Sequence, residues 1–159
     1  MDSYTAFYNK FRDRLFSYLM RYTGDCEISG DIMQESFTRY LENYSGQLPR
    51  ASLLFTIARN VLFDHSRNRS RNVQLGEDPI DRSRSQERDL MIKQEYRQVL
   101  EALKRLNQDE RDILALAISD GLSYRDVASI VGISVENVKV KVHRARHKLK
   151  KILQRGEPS

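Results

Sequence analysis

Apolar residues recur along most of this chain at intervals of three and four, the spacing that lines one face of an α-helix. Tyr4, Phe7, Tyr8, Phe11, Leu15, Tyr18, Leu19 and Tyr22 form the first such stripe, and Thr23, Gly24 and Asp25 end it. Ile28, Ile32, Phe37, Tyr40 and Leu41 mark a second helix. Residues 44–50 contain Gly46 and Pro49 and predict a loop. A third helix is expected from 51 to about 69, with Leu54, Ile57, Ala58, Val61 and Leu62 facing inward. From 72 to about 85 the period fails, and Gly76, Pro79 and mixed charges predict a linker. The helical pattern resumes near Arg88, through Leu90, Met91, Val99, Leu100, Leu103 and Leu106. A break at Asn107 precedes a further helix over 109–119, and Asp120-Gly121-Leu122 is a turn. The expected fold is all-α: two small helical domains, 1–71 and 88–155, joined by a flexible linker at 72–87.

The pattern is most specific over 122–149. Ser123 is placed to cap a short helix carrying Tyr124, Val127, Ala128 and Val131. Gly132 supplies a sharp turn where φ is expected to be positive, and Ser134 is a good N-cap for the helix that follows. Ala128 is small enough to let the two helices cross. Ile133, Val138, Val142 and Ala145 give the second helix an inner face; Lys139, Lys141, Arg144, Lys148 and Lys151 give it a basic outer one. A helix held at an angle to its neighbour and basic on its free face suits a DNA major groove.

Charge sharpens that reading. The 159 residues carry 27 Lys and Arg against 22 Asp and Glu, a net charge of +5. The excess is local: residues 135–155 hold eight cations and one acid, and residues 59–71 hold four arginines and one aspartate. Two separate basic stretches predict two contacts on a polyanion. No helix pairs a basic face with an exposed bulky apolar one, which disfavours a membrane surface. No apolar run approaches spanning length, and no charged-then-apolar leader opens the chain. The single Cys26 excludes an intramolecular disulfide and fits a reducing compartment, so a cytoplasmic location is expected. His143 and His147 have the spacing of a helical metal pair, but no third ligand stands near them, and no metal or other cofactor is expected. No glycine-rich phosphate loop or nucleophile–base pair suggests an enzyme or a small-molecule substrate.

Three stretches, taken in order, carry a family resemblance. They are Gly30-Asp31-Ile32-Met33-Gln34-Glu35-Ser36-Phe37; then Leu54-Phe55-Thr56-Ile57-Ala58-Arg59-Asn60, followed by Asp64 and Arg67; then Gly121-Leu122-Ser123-Tyr124 through Val138-Lys139 and His143-Arg144-Ala145-Arg146. In this order the chain resembles the extracytoplasmic-function group of bacterial sigma factors over nearly its whole length. The resemblance implies a first domain that binds core RNA polymerase and the −10 promoter element, and a second that binds the −35 element.

Residue by residue, the resemblance assigns Asp31, Ile32, Gln34, Glu35, Phe37 and Thr38 to the β′ clamp helices of the polymerase. Asp31, Gln34, Glu35 and Thr38 also share one helix face by spacing alone. It assigns Tyr44, Arg50, Arg59, Asn60, Asp64, Arg67 and Arg69 to the −10 element, with the loop at 43–52 forming a pocket for an unstacked base. Asn60 is balanced between reading a base edge and bonding within the bundle. The −35 candidates are Ser134, Glu136, Asn137, Lys139, Val140, Lys141, His143, Arg144 and Lys148, with Lys148 meeting phosphate or solvent. Many relatives carry Trp where Leu53 stands, and often Gly-Thr where Glu136-Asn137 stands; an acid there can accept a hydrogen bond from a cytosine amine. The implied partners are core RNA polymerase, through its β′ clamp helices and β flap, promoter DNA, and an anti-sigma factor; insertion into a membrane is not among them. Two other readings remain at this level: a helix-turn-helix regulator that needs no polymerase contact, and a sigma-like decoy for an anti-sigma factor. Whether the free domains pack together or tumble apart is also open.

Overall fold

The computed structural model describes residues 3–44, 46–74, 93–119 and 121–155. Seven helices occupy them: α1 Ser3–Thr23, α2 Cys26–Tyr44, α3 Ala51–Gln74, α4 Gln94–Lys104, α5 Gln108–Ala117, α6 Tyr124–Val131 and α7 Val135–Arg155. No strand occurs among the described residues.

Each boundary has a local cause. Gly24 takes a left-handed φ of 68°, which ends α1, and the Asp25 carboxylate accepts the Ile28 N–H at 2.9 Å, which starts α2. The break expected at Asn107 is itself an N-cap. Asn107 accepts the Glu110 N–H at 2.8 Å while the Glu110 carboxylate accepts the Asn107 N–H at 3.2 Å. Ser123 and Asp126 repeat this capping box on α6. Gly132 then turns the chain with φ at 82°, and Ser134 Oγ accepts the Asn137 N–H at 3.1 Å to open α7.

Two expected bounds shift. α3 runs to Gln74, beyond the expected end near 69, because its last turns contain no breaking residue even though they lack an apolar stripe. Of the linker expected at 72–87, residues 72–74 belong to α3, and 75–87, like Leu90 and Met91, lie outside the described residues. Leu41, expected on the inner stripe of α2, is instead substantially exposed.

α1, α2 and α3 pack around Leu15, Tyr18, Leu19, Ile32, Leu54, Phe55 and Leu62, all nearly fully buried. α4 to α7 pack around Leu103, Leu114, Leu116, Val127 and Val138. Burial of each such side chain contributes roughly 1.5–3 kcal/mol. The two groups also pack on each other. α1 lies against α4 and α5, α3 lies against α6, and the buried apolar residues form one continuous core.

Candidate nucleic-acid and polymerase interfaces

α7 is divided as its sequence demands. Val138, Val142 and Ala145 are buried, while Glu136, Asn137, Lys139, Lys141, His143 and Arg144 are exposed. Val140 stands among these cations with 46% of its surface accessible, an apolar group with no core to fill. Ser134 is exposed but its hydroxyl already caps the helix. Lys148 departs from expectation: its ammonium is ion-paired with Glu110 at the start of α5, so it braces α7 against α5 before it meets any phosphate.

On α2 the side chains of Asp31, Gln34, Glu35 and Thr38 are all exposed. Glu35 accepts from Arg39 at 2.7 Å, and Thr38 Oγ1 donates to the Gln34 carbonyl at 2.9 Å. Ile32 and Phe37 require correction. They are 1% and 3% exposed, and the Phe37 ring meets the Tyr8 ring edge-on at 4.7 Å. These two residues fix α2 in its bundle and are not available to a partner.

The −10 candidates are more heterogeneous. Asn60, Arg67, Arg69 and Arg50 are exposed. Arg67 is ion-paired with Asp64 one turn away. Arg50 donates its backbone N–H to Tyr40 Oη at 3.0 Å, which ties the loop to α2. The Tyr44 ring is half-buried against Tyr40, so it contributes to that aromatic stack. Leu48 stands 88% exposed at the loop's tip. Arg39, Asn60, Asp64, Arg67 and Arg71 line an open groove that α5 closes off with Gln108.

Arg59 was expected to meet DNA phosphate. Its Nε instead donates to Asp112 Oδ2 at 2.7 Å, and its guanidinium lies 4.6 Å from the centre of the Phe63 ring. Tyr18 donates its hydroxyl to the other carboxylate oxygen of Asp112, also at 2.7 Å. Burial pushes the Asp112 carboxyl above its usual range; the hydrogen bonds from Arg59 and Tyr18 pull it partly back. Burial likewise raises the Tyr18 phenol, reinforced by the Asp112 charge, so the phenol is a secure donor. Sequence reasoning missed Tyr18 and Asp112 as polar partners. The available signal was an acid embedded in the run Asp112-Ile113-Leu114-Ala115-Leu116, where the helix turns inward.

Among the described residues no cluster of three metal-ligating side chains occurs, and no helix is long and apolar enough to cross a membrane.

A basic recognition helix behind a tight left-handed turn, joined in one chain to a helical bundle with an arginine-rich groove, is the architecture of a DNA-binding protein. Residues 7–72 match the sigma-70 region 2 family, and residues 96–149 match sigma-70 region 4. The ECF RNA polymerase sigma factor EcfG of Rhodopseudomonas palustris is 32% identical over 142 residues, covering 87% of this chain and 78% of that one. The ECF RNA polymerase sigma factor SigM of Bacillus subtilis is 28% identical, covering 94% of each chain. The sigma factor RpoE, solved in complex with the anti-sigma factor NepR from Bartonella quintana, shares the fold. Its TM-score is 0.76 at 21% identity, over 99% of this chain and 100% of that one. The chain belongs to the extracytoplasmic-function group of RNA polymerase sigma factors.

Proposed function

We propose that this sigma factor directs core RNA polymerase to one promoter class by dividing the work among three surfaces. The exposed face of α2, with Asp31, Gln34, Glu35 and Thr38, docks on the β′ clamp helices. Arg50, Arg59, Asn60, Arg67 and Arg69 hold the melted −10 strand, their cations on phosphates and the Asn60 amide on a base edge. Lys139, Val140, Lys141, His143 and Arg144 read the −35 duplex, Glu136 and Asn137 beside them, while the β flap supports residues 88–155. The polymerase holds residues 1–71 and 88–155 at fixed spacing, so two weak DNA contacts multiply into one strong one. The protein performs no bond chemistry of its own and works in the cytoplasm, where the polymerase is. The anti-sigma complex solved for RpoE supports an equivalent partner here.

The carrying observation is the exposed basic face of α7, presented by buried Val138, Val142 and Ala145. The test is run-off transcription from a fragmented genomic library, with purified core polymerase and this protein as the only initiation factor. Discrete transcripts that vanish on Asp31→Ala with Glu35→Ala are the expected result. Duplex binding without any transcription would reassign the protein to the ordinary helix-turn-helix regulators.

A further inference from the structure

Four buried polar residues occur among the described ones, and Asp112 is the one that carries a charge. It lies between the two halves of the molecule. Its side chain is 4% exposed and comes from α5; its donors, Tyr18 and Arg59, come from α1 and α3. Arg21 and Arg111 also link the two halves, in a different way. Arg21 donates to the Ala115 carbonyl at 3.0 and 3.1 Å and to Ser119 Oγ at 2.6 Å, and Arg111 donates to the Tyr22 carbonyl at 3.3 Å. Those acceptors are neutral, so they lose little if the arginines turn to water. A buried carboxylate stripped of its cation is far more costly than a surface charge left alone.

Arg59 is also the group placed to leave. Its side chain is 21% exposed, and it neighbours Asn60, which lines the groove with Arg67 and Arg71. Its guanidinium lies over the Phe63 ring, which lines that groove, so a nucleic-acid phosphate bound there would compete with Asp112 for it.

We propose that Asp112 makes closure of the two halves conditional on Arg59, so that engagement of Arg59 by the −10 strand opens the seam and closure withholds Arg59 from DNA. The mechanism rests on the sigma reading for its DNA partner, and on geometry alone for its latch. The coupling is reciprocal: whatever opens the seam raises affinity for the −10 strand, and the strand favours the open form. Gln108 of α5 lines the same groove, so opening also removes a wall from the path of the strand. Free protein is thereby kept from the −10 strand until core polymerase, holding the halves apart, lowers the cost of release.

A double-mutant cycle read by small-angle scattering of the full chain tests the latch. Arg59→Gln should raise the radius of gyration by about 10%, the scale expected when a compact chain of this length opens. Asp112→Asn should leave the protein compact, because an amide there needs no cation. The double variant should stay compact as well. Arg59→Gln protein as compact as wild type, or a double variant as expanded as Arg59→Gln alone, would overturn the proposal. Tyr18→Phe keeps the core shape, removes one donor from the carboxylate and touches no DNA. It should expand the protein, and lower the sigma concentration giving half-maximal transcription by roughly threefold, as the competent fraction rises. Unchanged scattering and unchanged half-saturation in this variant would also overturn the proposal. A wild-type protein that drives no transcription defeats the sigma reading, and the scattering cycle then decides the latch by itself.

Discussion

α3 and α7 both carry the cations that the proposed function assigns to DNA, yet they hold them differently. On α7 the cations Lys139, Lys141 and Arg144 project to solvent from a helix anchored by Val138, Val142 and Ala145. On α3 Arg59 is bonded to Asp112, and Arg67 is ion-paired with Asp64. Duplex DNA at a −35 element is available at all times, and a helix that reads it needs no gate. A melted −10 strand forms on the polymerase, and two of the cations proposed to hold it, Arg59 and Arg67, are engaged by carboxylates in the free protein. The difference lies in what the cations rest on, not in how many there are.

The largest contrast should come from paired substitutions. Arg59→Ala leaves Asp112 buried without its cation and should cost the closed state about 3 kcal/mol. Arg144→Ala should change unfolding free energy by less than about 0.5 kcal/mol. Urea denaturation of both variants checks this, and equal losses would erase the distinction between the helices. The same Arg144→Ala change should weaken binding to a −35 duplex by roughly tenfold or more, measured by fluorescence anisotropy at fixed salt.

Val140 gives a smaller and more specific effect. An exposed apolar side chain on a groove-facing helix matches a thymine methyl. Replacing the relevant thymine by uracil should weaken wild-type binding by about fivefold and leave Val140→Ala unaffected. Equal sensitivity in both proteins would assign the contact to another residue.

Acidity should act on the seam. Asp112 faces Arg59 of α3 and Tyr18 of α1, with Asp109 on its own helix adding a like charge. Because burial raises its carboxyl when closed, the closed form binds the proton more tightly than the open form. This contribution to closure is therefore full below roughly pH 4 and is lost as pH rises through the raised value. Scattering of the open Arg59→Gln variant should show compaction as the pH falls towards 4, and the Arg59→Gln, Asp112→Asn double variant should show no change. The smallest effect belongs to Lys148. Because it is engaged by Glu110, Lys148→Ala should leave the salt dependence of duplex binding nearly unchanged, whereas Lys141→Ala should reduce that slope by about one.

α7 was almost fully legible in the sequence because every cue for it is local. A capping serine, a turn glycine and valines at helical spacing fix which residues face out. The acidic face of α2 was legible for the same reason. Ile32 and Phe37 were misplaced because a family motif mixes residues that hold a helix with residues that serve a partner, and only burial separates them. The end of α3 escaped because helix persistence past the last apolar contact leaves no periodic mark. The seam was illegible for a different reason. Tyr18 lies 94 residues from Asp112 and Arg59 lies 53 away, and no pattern of neighbours encodes a meeting at that distance.

The inward and outward positions of α7 share no side chain. Exchanging Lys139, Val140 or His143 leaves the valines that hold the helix untouched, so under the proposed function stability and promoter preference vary independently. A duplicated gene could therefore drift to a new regulon one exposed residue at a time, with each intermediate still folded and still able to serve the polymerase.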